Sequence, residues 1–72
     1  MSSVRYGIVI EKGDRNYSAY VPDLPGCIAT GATIDETKKR IRKAIELHLK
    51  GMREDGENIP EPRIVCDSVD VA

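Results

Sequence analysis

The sequence contains no Trp and no Phe, and only three Tyr in 72 residues. Its core must therefore be built from Val, Ile, Leu, Ala and Met. The aromatic platforms on which single-stranded nucleic acids stack are also missing. Charge of one sign is missing too: 11 Lys and Arg face 12 Asp and Glu, for a net charge of −1. That balance argues against non-specific nucleic-acid binding, which calls for a strong basic excess. No segment approaches the roughly 20 apolar residues of a membrane helix. The first fifteen residues hold no apolar stretch long enough for a secretory signal. The expectation is a cytoplasmic protein with no membrane association, in which Cys27 and Cys66 are reduced, buried thiols. Their separation in space is not given by sequence, so a disulfide between them stays open.

What is present fits one small domain spanning residues 1–72. A chain of this size buries only about 60% of the surface its unfolded form exposes, so self-association is a common supplement to its core. Alternation over Val4 to Glu11 predicts a strand with Val4, Tyr6, Ile8 and Ile10 on one face. Lys12 to Asn16 is a polar turn with Gly and Asn available for positive φ. Tyr17 to Val21 is the returning strand. Pro22 ends it, because proline donates no ladder hydrogen bond. Pro25-Gly26 suits the centre of a type II turn. A short third strand follows from Cys27 to Thr30 and is broken by Gly31.

Thr33-Ile34-Asp35-Glu36 reads as a capping box, with Thr33 as N-cap and Glu36 reaching back to it. A helix of roughly 30 Å then runs to about Glu54, with Asp55-Gly56 as its stop. Ile34, Thr37, Ile41, Ala44, Ile45, His48 and Met52 form its apolar stripe. Lys39, Arg42, Lys43, Glu46, Lys50 and Arg53 lie opposite. Seven basic residues fall between Lys38 and Arg53; with Glu46 among them, a solvated face is the first reading and an acidic-partner patch the second. Leu47 stands away from the stripe, either as an isolated exposed residue or as a contact with another chain. Ile59-Pro60-Glu61-Pro62 is an extended linker. Arg63 to Val71 reads as a last, edge strand with Val65, Val69 and Val71 on one face and Ile64 and Cys66 on the other.

The predicted fold is α+β, with strand order 3-2-1-4, strands 3 and 4 parallel to strand 1, and the helix on one sheet face. Val9 and Tyr20 would lie on the uncovered face. With Leu47 they form the candidate oligomer interface, for a homodimer or higher homo-oligomer.

The motifs, in order, are Tyr20-Val21-Pro22-Asp23-Leu24-Pro25-Gly26-Cys27, then Gly31-Ala32-Thr33 with Asp35-Glu36, then Ala44-Ile45 in the helix, then Asp55-Gly56-Glu57-Asn58-Ile59-Pro60-Glu61-Pro62. This ordered set covers nearly the whole chain and resembles the HicB family of antitoxins, the partners of HicA toxins. The resemblance implies a partial RNase H-like β-β-β-α-β fold. It also implies a non-catalytic protein that binds and neutralises a small ribonuclease toxin. Many members carry a C-terminal DNA-binding domain. Here only Ala72 follows Val71, so neither such a domain nor direct DNA binding is expected. Asp23 and Leu24 in the proline loop, with Asp67 and Asp70 in the acidic tail, are the candidate toxin contacts. Pro22, Pro25, Gly26, Gly31, Thr33 and Glu36 are the structural positions of the motif. Asp23 also has a local reading, as a turn acid bonded to nearby amides.

Two alternatives to a toxin antagonist are a small metal-dependent nuclease and a structural dimer without a toxin. The nuclease would need carboxylates converging on metal ions, drawn from Glu11, Asp14, Asp23, Glu36 and Glu46, whose spacing gathers no three of them. His48, the only histidine, falls on the buried stripe and reads as structural. A metal site joining it to Cys27 and Cys66 lacks paired ligand spacing. No catalytic residue, cofactor or metal is expected.

Overall fold

A computed structural model describes residues 5–65 and 67–71. Three strands, β1 (Val9–Lys12), β2 (Tyr17–Tyr20) and β3 (Ile28–Gly31), precede one helix, α1 (Ile34–Glu54). The sheet is antiparallel throughout, in the order β1-β2-β3. Register places Val9 opposite Tyr20 and Tyr20 opposite Ile28; one step on, Ile10 faces Ala19 and Ala19 faces Ala29. Directly opposed residues share a face. The Ile10-Ala19-Ala29 row points to the core, and the Val9-Tyr20-Ile28 row lines the other face.

β1 is assigned from Val9, with residues 5–8 ahead of it, and Val4 lies outside the described residues. Tyr6, Ile8 and Ile10 nonetheless pack on the core side, as the alternation requires. The connection from β1 to β2 uses no positive φ at Gly13 or Asn16; the Gly13 amide instead donates to the Asn16 carbonyl at 2.7 Å.

The predicted fourth strand is not formed among the described residues. The described residues from Glu57 onward form no assigned strand. The order is β1-β2-β3, the 3-2-1 part of the predicted 3-2-1-4, with no strand 4 assigned among the described residues. An apolar alternation gives a strand its faces but not its partner. Here Pro62, Ile64 and Val65 lie near residues 5–8, ahead of β1. Cys66 is outside the described residues.

Thr33 caps α1, its hydroxyl accepting from the Glu36 amide at 3.1 Å. The reciprocal half of the capping box is not used. Glu36 instead pairs with Arg40 at 2.5 Å, one helical turn on, where a cation is within reach. The far end closes as a Schellman motif. Gly56 takes φ 72°, its amide donates to the Arg53 carbonyl, and the Glu57 amide donates to that of Met52.

The core joins Ala19, Val21, Leu24 and Cys27 to Ile41 and Leu49 of α1, with Ala44, Ile45, Met52 and Ile59 partly buried around them. Leu49 replaces His48 at the centre of the stripe, and Ile34 is exposed rather than buried. Gly31 is the last residue of β3 rather than its interruption, and it is buried. A Cβ there would lie 2.7 Å from Thr37 Oγ1 and 2.8 Å from its amide nitrogen. Glycine at 31 lets β3 touch the first turn of α1. Fully buried Thr37 satisfies its hydroxyl by donating to the Thr33 carbonyl at 2.7 Å.

Candidate functional site

The proline loop is two successive tight turns. The Leu24 amide donates to the Val21 carbonyl and the Cys27 amide to that of Leu24, at 3.0 Å each. A third bond, from the Val21 amide to the Cys27 carbonyl at 3.2 Å, closes the loop at its neck. Pro22 and Pro25 each occupy the second position of a turn, where their fixed φ fits. Gly26 follows at φ 85°, as a type II turn requires. The loop is therefore preformed by its own backbone.

That geometry sets the directions of its side chains. Leu24 is only 1% exposed and belongs to the core. It is not a surface contact: it ties the loop down, and a partner could touch it only by opening the core. Asp23 stays partly exposed, and its Oδ2 accepts from the amides of Arg63 and Ile64, both at 3.1 Å. This is neither a local turn bond nor a vacant acid. Asp23 is a latch that fixes the start of the tail 40 residues further along the chain.

Tyr6 supplies a second tie. Its hydroxyl donates to the Pro60 carbonyl at 2.5 Å. Burial raises the Tyr6 pKa above its ordinary value, the negative charge of Asp23 raises it further, and Arg53 opposes the shift. Burial likewise raises that of the free Cys27 thiol. A thiol held protonated in apolar surroundings is a weak nucleophile, in keeping with a structural role. A third tie joins the layers: Arg40 donates from its guanidinium to the Thr30 carbonyl at 3.0 Å.

Asp67 and Asp70 lie beyond the latch on the exposed tail; Asp67 Oδ1 accepts from the Ser68 amide at 2.8 Å. Asp23 is thus bonded to residues 63 and 64, and Asp67 and Asp70 follow further along the chain. Val9 and Tyr20 meet directly across the sheet, and Ile28 extends their row with 68% of its surface exposed. Leu47 is exposed on α1, which covers the other sheet face. It is not part of that row.

The acids weighed for a nuclease stay apart. Glu11 ends β1, Asp14 lies in the next turn, Asp23 holds the tail, Glu36 pairs with Arg40, and Glu46 faces Arg42 at 3.9 Å. Among the described residues no group of three or more His, Cys, Asp or Glu side chains is placed to hold a metal ion. His48 is half-buried on α1. No helix there is long and apolar enough to cross a membrane.

Sequence reasoning missed Tyr6 as a tie, Leu49 as core and Ile28 on the open face. Leu49 had a signal, since Ile41, Ile45 and Leu49 repeat at four-residue steps. Tyr6 had none: its partner is a backbone carbonyl 54 residues away.

Comparison with known proteins bears on the same elements. The profile of the HicB-like antitoxins of bacterial toxin–antitoxin systems matches residues 6–71. An uncharacterised 14.9 kDa protein of Haemophilus phage HP1 is 43% identical over 56 residues, which span 78% of this chain but 42% of the phage protein. A UPF0150 protein of Archaeoglobus fulgidus is 44% identical over 59 residues, covering 78% of this chain and 86% of that one. Among solved structures, a chain of the HicA3 and HicB3 toxin-antitoxin complex superposes with a TM-score of 0.70 at 28% identity, covering 82% of this chain and 70% of that chain. The preformed proline loop, the capped helix and the Ile59–Pro62 segment all fall within the matched span, and the chain belongs to the HicB-like antitoxin family.

Proposed function

We propose that this chain is the toxin-binding unit of an antitoxin, acting in the cytoplasm by stoichiometric contact with a small HicA-type ribonuclease and without catalysis of its own. The observation that carries the reading is the likeness to a chain of a toxin-antitoxin complex, at 28% identity and a TM-score of 0.70. The site supports it in a specific way. The tail is tied at Tyr6 and Asp23 and then leaves the core with Asp67 and Asp70 exposed. An acidic segment on a rigid mount suits a basic ribonuclease surface, because complementary charge speeds encounter and fixes orientation. The role of Asp23 is to aim the tail and that of Leu24 is to hold the loop carrying Asp23. The partial RNase H-like reading of the unit belongs to the same proposal.

Co-expression with the product of a neighbouring toxin-like reading frame tests it. Growth arrested by the toxin should resume when this chain is supplied, and the two proteins should purify as one complex. Absence of both rescue and complex at micromolar concentrations rejects the proposal.

A further inference from the structure

The proposed toxin contact is acidic, and it leaves unused a second feature of opposite sign. A groove of about 320 Å³ separates the lead-in to β1 from α1. It exists because α1 lies over β3 and β2 rather than over β1. Tyr6, Ile8, Ile41 and Ile45 give it an apolar floor. The Tyr6 hydroxyl is already taken by the Pro60 carbonyl, so the ring is what Tyr6 can offer. Lys38, Lys39 and Arg42 complete the lining, and all three are exposed. No carboxylate of the described residues lines the groove. Glu46 approaches Arg42 at 3.9 Å, and so long a contact between exposed groups offsets little of the charge.

Helical periodicity produces this pattern. At 3.6 residues per turn, Ile41, Ile45, Lys38 and Arg42 succeed one another within an arc of about 100° around α1. An apolar row therefore borders a basic row. The Lys and Arg stems extend the apolar wall while their charged heads stay in water. A matching ligand has an aliphatic body and a single anionic end. Size points to a small molecule: the volume falls at the low end of the roughly 300–1,000 Å³ of small-molecule sites, whereas a stable protein partner covers about 800 Å² on each side. Charge points away from the toxin, because a basic surface that suits Asp67 and Asp70 is repelled by this rim.

We propose that the groove binds a free medium-chain fatty acid of the octanoate or decanoate class. The alkyl chain lies along Ile8, Ile41 and Ile45, and the carboxylate sits between Lys38 and Arg42, which stand one helical turn apart. Burial of the chain supplies the affinity, and the basic row fixes which end faces water. The inference uses none of the residues assigned to the toxin contact, and its test contains no toxin.

Titration of the native chain with hexanoate, octanoate and decanoate, followed by amide NMR, tests this. Dissociation constants should fall with chain length, by up to about fourfold per methylene buried, and decanoate should reach below about 1 mM. Chemical-shift changes should centre on Tyr6, Ile8, Ile41 and Ile45. Octylamine, of similar chain and opposite charge, should bind about tenfold more weakly than octanoate. A variant carrying K38Q and R42Q, altered only at exposed positions, should weaken octanoate binding about fivefold and leave that of uncharged octanol unchanged. Absence of binding, octylamine binding as tightly as octanoate, shifts centred on Val9, Tyr20 and Ile28, or native octanoate affinity in the variant would each overturn the assignment. Capture by phosphatidylglycerol vesicles without binding of the monomeric acids would also overturn it, in favour of a membrane surface.

Discussion

Leu24 and Leu47 carry the same side chain and have opposite fates. Leu24 sits in a loop yet is 1% exposed, whereas Leu47 sits in the helix and is 61% exposed. Turn chemistry predicts where the chain bends, and Pro22, Pro25 and Gly26 were legible for that reason. It does not say which side chain the bend turns inward. Burial makes Leu24 costly to lose: Leu24→Ala should destabilise the fold by about 2–5 kcal/mol, a large share of the margin of a small domain, often near 5 kcal/mol. Urea unfolding checks this, with Leu47→Ala as a control that leaves the midpoint unchanged.

Tyr6 gives the residue scale its pH dependence. Burial chiefly, and then the charge of Asp23, raise its folded pKa above the ordinary value of 10.0. The neutral phenol is therefore the form the fold favours. Its contribution to stability is complete below that ordinary value and is lost as pH rises through the raised one. Deprotonation also removes the donor to the Pro60 carbonyl. Absorbance titration should show one tyrosine ionising above pH 10, missing in Tyr6→Phe. Hydrogen exchange near Pro60 should accelerate over the same range. A Tyr6 that ionises at or below its ordinary value would contradict the assignment of this tie.

At the scale of elements, legibility followed locality. The helix was readable because Thr33, Asp35 and the Asp55-Gly56 stop act within a turn of each end. The hairpin was readable because alternation of Tyr17, Ala19 and Val21 is set by the pleat. Glu36 went astray because two partners, the cap and Arg40, lie within its reach and only one can be served. The fourth strand was not decidable in this way, since a strand exists only when its partner offers a ladder. Gly31 adds a tertiary constraint that local pattern conceals: it permits contact between β3 and Thr37. Gly31→Ala should cost about 1–3 kcal/mol by overpacking, because the obstructing atoms include the Thr37 backbone. Thermal unfolding measures this. An unchanged midpoint would show that β3 and α1 separate without penalty.

For the whole molecule, one asymmetry organises the surface. The helix covers one sheet face and stands over β2 and β3, so the Val9-Tyr20-Ile28 row and the groove beside β1 are left open. The ordered motifs made the family visible from sequence, whereas the coupling of the proline loop to the tail through Asp23 spans 40 residues and became visible only in three dimensions. The central claim is that this mounted surface inactivates a ribonuclease by binding it. Its most direct measurement is a titration of a purified HicA-type ribonuclease with this chain, recording heat of binding and RNA cleavage together. The account predicts saturation at a fixed stoichiometry, a dissociation constant below about 1 µM, and loss of cleavage in proportion to complex formed. No binding heat, with cleavage undiminished at excess of this chain, would contradict it.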